Sequence, residues 1–239
     1  MRRITRLPYA AVVPTPLALF PLNTVLVPGL VLPLHIFEPR YRALIETLLG
    51  IPDEDQREFG IVAVRDGRDI ESEGIDALYP IGTAVVLRQS EQRDDGRWDI
   101  VTTGSRRFRL IDVDTSDPLV QAEVEFLDDV TGPDDEALAG VVARGFVAYR
   151  LALSGQVPSD EEIQAETEDD LPEDPTVLGY LVTAAMVLPT HERQDLLAAE
   201  STAERLALAR TLLHRETGLI SALGAVPALD LTSVPPTPN

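Results

Sequence analysis

The chain has no cysteine and no lysine, and each absence removes a set of chemistries. Without a thiol there is no cysteine nucleophile, no thiolate zinc site, no iron–sulfur ligation and no disulfide. A P-loop needs a lysine on the phosphates, a Ser-Lys dyad needs a lysine base, and Schiff-base enzymes need a lysine amine, so these are excluded too. Positive charge is scarce: 20 basic residues, all arginine, stand against 40 acidic ones and leave a net charge of −20. A nucleic-acid backbone attracts the opposite sign, so no nucleic-acid partner is expected. Nowhere do eighteen uncharged apolar residues follow one another, and no membrane span is expected. Arg2, Arg3 and Arg6 are followed by Pro14 and Pro16 rather than by a leucine-rich segment, which argues against a secretory signal and for a cytoplasmic protein.

Motifs of catalysis are also missing. No serine sits in a Gly-x-Ser-x-Gly elbow, no glycine-rich loop joins a strand to a helix, and no metal signature occurs. The three histidines, His35, His191 and His214, lie in different elements without ligand spacing. The last two sit among polar residues near helix ends, which suits surface or capping roles. No catalytic residue, metal or cofactor is therefore expected.

What is present is a 44% apolar composition over 239 residues, enough for one large domain or two small ones. From Leu17 to Asp129 the signals are those of strands. In Leu119–Leu127, Val120, Ala122, Val124 and Phe126 alternate with polar residues. Tyr79–Gln92 and Arg97–Thr103 flank Asp94-Asp95-Gly96, whose Asp-Gly pair supplies the positive φ of a tight hairpin. Phe59–Val64 and Phe108–Val113 read as further strands, and the proline-punctuated segments around Leu19, Val25 and Leu32 as edges or bulged ends. One helix is inserted, from Pro39 to just before Gly50, with Tyr41, Leu44, Ile45, Leu48 and Leu49 on its apolar stripe. Six short strands without crossover helices predict an antiparallel β-barrel.

Beyond Thr131 the period changes to that of helices. One helix is expected over Asp134–Leu153, a second after the Asp174-Pro175 cap, a third from Thr190, and a fourth from the Ser201-Thr202-Ala203-Glu204 capping box to about Arg215. Together they predict an antiparallel helical bundle. Between the first two, Asp160–Asp174 carries nine carboxylates and no arginine, which reads as a solvated flexible loop in preference to an interaction peptide. The expected organisation is α+β: an extension at 1–16, the barrel at 17–130, the bundle at 131–219 with its acidic loop at 155–174, and a disordered tail at 220–239.

Candidate binding residues cluster in the first third of the chain. His35, Glu38 and Arg40 lie where a strand turns into the helix; a structural ion-pair cluster is the first reading and a ligand groove the second. Gly104-Ser105-Arg106-Arg107-Phe108-Arg109 is a small basic island, expected as an exposed strand face rather than a phosphate site. The stretch Leu17–Phe37, with Phe20, Leu22, Val25, Leu26 and Leu30, is the most plausible apolar recognition surface.

The run from Leu19-Phe20-Pro21-Leu22-Asn23 through Pro28-Gly29, followed by Leu32-Pro33-Leu34-His35-Ile36-Phe37-Glu38-Pro39-Arg40-Tyr41-Arg42, resembles the opening of the Lon protease N-terminal, substrate-binding domain. Ile81-Gly82-Thr83-Ala84, Gly104–Phe108 and Leu188–Glu216 resemble its later strands and C-terminal helices. The resemblance covers about Leu17 to Leu219 and implies a PUA-like β-barrel followed by a helical bundle. It also implies a role in recognising unfolded or degron-bearing proteins, with a protease or chaperone as a further partner. No ATPase or protease module follows, so the chain reads as a free-standing relative. The expected binding residues are Phe20, Leu22, Val25, Leu30, His35, Phe37, Glu38, Arg40, Tyr41 and Arg107. A small-molecule or nucleotide-binding PUA-like domain, with His35, Arg40 and Arg107 around a pocket, is the alternative, and a carboxylate-pair hydrolase the third reading. The lysine-free surface offers no side-chain amine for isopeptide tagging, which would spare the protein a lysine-directed degradation route.

Overall fold

A computed structural model describes residues 14–156, 159–169 and 171–223, and the contacts within it divide the chain into two units. One, the β unit, takes the stretch up to Leu22 together with Leu32–Leu127; the other, the helical unit, takes Asn23–Val31 and everything from Asp128. The expected single boundary near 130 is therefore incomplete, because a short early segment belongs with the helices.

Six strands make the β unit: β1 (Thr15–Leu22), β2 (Val31–Ile36), β3 (Glu58–Ala63), β4 (Ile81–Gln92), β5 (Trp98–Asp114) and β6 (Gln121–Leu127). Their order is β2-β5-β4-β3-β1-β6, and β5 also pairs with β6, so the ladders run in a closed circuit with β2 outside it. The sheet is mixed rather than antiparallel: β1 and β3 run parallel, with Leu19 opposite Gly60 and Leu22 opposite Ala63. Parallel neighbours need a long crossover, usually carrying a helix. Helix α1 (Pro39–Leu49), expected as an insertion, lies in that crossover. β1 is also no edge, since its other side pairs with β6.

Gly96, at φ 78°, makes the β4–β5 hairpin turn as expected. The two strands expected at 97–103 and 108–113 are instead one seventeen-residue strand, β5. Gly104 does not break it; it pairs with Val85 beside a register shift in β4, the bulge role that glycine plays in strands. Inside, Leu17, Leu19, Val62, Ala84, Phe108, Leu110 and Val124 form one apolar cluster. Gly82 is crowded against it: a Cβ there would lie 2.4 Å from the Phe108 ring and 2.6 Å from the Ile61 carbonyl oxygen.

The short helix α2 (Ile70–Glu73) completes the β unit. The helical unit holds α3 (Asp135–Leu153), α4 (Asp160–Asp169), α5 (Pro175–Ala185), α6 (Thr190–Ala198) and α7 (Thr202–Leu223). Val142, Phe146 and Tyr149 of α3 pack with Leu178 and Val182 of α5, Leu196 of α6, and Leu206, Ala209 and Leu213 of α7. The Asp174 carboxylate accepts from the backbone N–H of Thr176 and Val177, the expected cap. In the expected capping box the Ser201 hydroxyl accepts from Glu204 N–H, whereas the Glu204 carboxylate takes the N–H of Glu200, one residue earlier.

Two expectations fail here. The acidic segment is not loop throughout, because Asp160–Asp169 is helical and packs on α3 with Ile163 partly buried. Three of its six acids, Asp160, Glu161 and Glu162, stand in the first turn, where the helix dipole favours them. Helix α7 also runs on to Leu223, so residues 220–223 are not tail; 224–239 lie outside the described residues, as do 1–13 of the expected extension.

Candidate functional site

The expected apolar stretch Leu17–Phe37 is divided between the units: its middle belongs to the helical unit and its two ends to the β unit. Val25 is buried at 5% exposure in the helical unit, and Leu30 is exposed there. In the β unit, Phe20 is half-buried with its ring stacked on Tyr41 at 4.0 Å between centroids, and Leu22 is half-buried at the end of β1. Tyr41 is buried, and that burial pushes its phenol above the usual range. Arg107 is buried in β5. Val25, Tyr41 and Arg107 are thus core positions, and within the β unit the exposed candidates are on the edge strand and its exit toward α1.

β2 is that edge strand. His35 is exposed, and Phe37 just beyond the strand is 53% exposed, its ring 6.5 Å from the imidazole. The His35 Nδ1 is 2.6 Å from Asp99 Oδ1, and Arg93 Nε donates to the other carboxylate oxygen at 2.6 Å. Hydrogen bonds from His35 and then Arg93 hold the Asp99 carboxyl below its ordinary value. A 610 Å³ pocket adjoins this trio, with Pro33 and Leu34 from β2, Gln89, Ser90 and Glu91 from β4, and Ile100 and Val101 from β5. The lining is half aliphatic and half polar, which suits a chain segment that brings both a side chain and backbone amides.

The expected His35–Glu38–Arg40 cluster is divided. Arg40 Nε donates to Glu38 Oε2 at 2.8 Å, and its Nη1 donates to the Pro118 carbonyl at 3.2 Å. Glu38 is the N-cap of α1, yet its carboxylate is spent on Arg40 and makes no cap bond. Arg40 lines a second pocket of 360 Å³ with Asp69, Ser116 and Asp117. His35, Arg40 and Arg107 therefore do not meet around one pocket: the first two line different ones and Arg107 lines neither. Of the basic island, Arg106 and Arg109 are exposed and paired with Glu58 and Glu125.

The residues that sequence reasoning missed are Arg93 and Asp99. One signal existed: the Asp-Gly turn sets Glu91 opposite Asp99, and two like charges facing across a ladder call for nearby cations. Among the described residues no group of three or more His, Asp or Glu is placed to hold a metal ion, and no helix among them is long and apolar enough to cross a membrane.

The family model of the ATP-dependent protease La (LON) substrate-binding domain matches residues 16–215. The chain belongs to this family. The Lon substrate-binding domain is shared with Lon protease 2 of Syntrophobacter fumaroxidans, 33% identical over 194 residues that make up 79% of this chain and 23% of that protein. Lon protease of Anaeromyxobacter dehalogenans is 27% identical over 210 residues, 85% of this chain and 24% of its own length. The chain thus spans about a quarter of the length of these Lon relatives. In fold it is similar to the crystal structure of a Lon N-terminal domain protein from Xanthomonas campestris, with a TM-score of 0.58, 24% identity, and coverage of 84% of this chain and 98% of that one. The N-terminal domain of a Mycobacterium avium complex Lon protease gives a TM-score of 0.59 at 17% identity, covering 85% and 98%.

Proposed function

We infer that the chain is a non-catalytic binding module, which takes up extended segments of unfolded or degron-bearing proteins at the edge strand β2 and the pocket beside it. The observation that carries this is Phe37, a half-exposed aromatic next to His35 at the end of the edge strand. An exposed aromatic beside a partly apolar pocket is the kind of anchor that dominates recognition of other chains. Membership of a family described as substrate-binding supports the same reading. The closed circuit of ladders supports regarding the β unit as a PUA-like barrel, and the common core of α3, α5, α6 and α7 supports regarding the helical unit as a bundle. Pro33 has no N–H to offer along the edge, so recognition rests on side chains more than on a complete added strand. A protease or chaperone is the destination of the bound client in this reading.

The test is fluorescence anisotropy with a labelled, permanently unfolded protein and its folded form as control. Phe37→Asp is expected to weaken binding about tenfold, the size of a modest anchor. Since Phe37 is exposed, the variant keeps its fold, which circular dichroism checks. Binding no tighter than that of the folded control, or unchanged binding by Phe37→Asp, overturns the reading.

A further inference from the structure

A groove of 480 Å³ lies within the helical unit between α3 and α7. Val141, Gly145 and Ala148 line it from α3, at i, i+4 and i+7; Arg210, His214 and Thr217 line it from α7 at the same spacing. Each strip is therefore about 10 Å, or two helical turns, long. Gly145 lines the groove above the buried Leu213: a Cβ at Gly145 would sit 3.6 Å from a Leu213 methyl. Val141 on the rim is 39% exposed.

The charges are unusual for this chain. It carries −20 overall, and among the described residues at least ten arginines are in ion pairs with carboxylates. Arg210 and His214 on the rim, and Arg144 one turn from both Val141 and Ala148, have no acidic partner among the described residues, and no carboxylate lines the groove. Cations left open beside an aliphatic floor complement a ligand that is aliphatic in its centre and acidic on its flanks. A trough between two helices, two turns long, accepts a third helix by its i, i+3, i+4 and i+7 side chains.

We propose that the α3–α7 groove is a docking site for a short amphipathic helix of a partner protein, with aliphatic residues seated over Gly145 and Ala148 and acidic residues facing Arg210, His214 and Arg144. It is a site separate from the β2 edge and does not depend on that reading.

The probe is a fluorescein-labelled, blocked, alanine-based helical peptide with Leu at i, i+3, i+4 and i+7 and Glu on both flanks, titrated with the full chain. A second peptide replaces each Glu by Gln and a third by Lys. The Glu peptide is expected to bind at least about tenfold tighter than the Gln peptide, with the Lys peptide weakest. Gly145→Leu, which fills the trough, is expected to lose at least about tenfold for the Glu peptide, whereas Phe37→Asp leaves that affinity unchanged. Should Gly145→Leu fail to fold, the exposed Arg210→Glu serves instead, and it is expected to invert the preference between the Glu and Lys peptides. Equal binding of the Glu and Gln peptides overturns the proposal, as does undiminished binding by a folded Gly145→Leu or by Arg210→Glu. So does loss on Phe37→Asp, which would put the peptide at the β2 edge, or a dimer in sedimentation that Gly145→Leu dissolves, which would make the groove a self-interface.

Discussion

The two units solve the same problem of polar satisfaction in opposite places. In the β unit the backbone is paired strand to strand, and although Arg107 is buried in β5, three ion pairs stay outside: Arg106 with Glu58, Arg109 with Glu125 and Arg88 with Asp55, each arginine about half exposed. Its interior is decided by shape, as the crowding at Gly82 shows. The helical unit buries the arginine of an ion pair. Arg205 of α7 is fully buried; it donates to the Leu196 carbonyl at 3.1 Å, lies 3.4 Å from Asp129, and stacks 4.2 Å from the centre of the Tyr180 ring. The reason is the irregular backbone that this unit must hold. The Leu196 carbonyl near the end of α6 takes the Arg205 Nε, and the Val130 carbonyl takes the Thr202 N–H of α7 at 2.9 Å.

The largest expected effect breaks this comparison on the helical side. Arg205→Ala removes the cation that answers Asp129 and the α6 carbonyl. Loss of one partner of a buried pair costs about 3 to 5 kcal/mol, and the 30% exposure of Asp129 puts this case near the lower end, about 3 kcal/mol. Urea unfolding followed by far-ultraviolet dichroism measures it. A loss under about 1 kcal/mol would mean that the network is incidental and that the helical unit rests on apolar packing alone.

On the β side the corresponding blow is steric. Gly82→Ala drives a methyl into the Phe108 ring and the Ile61 carbonyl, and overpacking of this kind costs about 2 kcal/mol. Backbone oxygen cannot rotate away as a side chain can, so repacking gives little relief. The near-ultraviolet signal of the aromatic core and the urea midpoint should both shift. A neutral Gly82→Ala would show that the closed circuit is looser than its contacts.

How far the sequence foretells these features depends on whether they are local. Alternation in β6 is legible because Ala122 and Val124 are buried while Gln121 and Glu123 are exposed. The Asp-Gly turn and the Asp174-Pro175 cap are legible because their chemistry is complete within a few residues. The parallel pairing of β1 with β3 is not, since alternation names a face and never a partner. The same holds for the candidate site: His35 and Asp99 are 64 positions apart and meet only because β2 docks on β5. Arg205 reads as a solvent-facing residue in a charged helix, and composition alone favours that reading. Helix α4 was hidden for the converse reason, its acids masking Ile163, which is half-buried.

The smallest effect sharpens the surface half of the comparison. Asp95 in the β4–β5 turn accepts from Arg97, through the side chain at 2.6 Å and the backbone N–H at 3.1 Å, and is about half exposed. The Arg97 side-chain bond, then the backbone bond, lower its carboxyl from 3.8 to about 2. A depressed acid binds its proton less readily in the folded state, so the contribution is whole above about pH 4 and disappears as pH falls toward 2. Asp95→Asn should therefore reduce the slope of stability against pH in that window and leave it unchanged near pH 7. Carboxylate NMR should place the Asp95 midpoint near 2. A midpoint at the ordinary value would mean that solvent screens even a two-bond turn contact, and that the β unit's surface pairs contribute nothing to its stability.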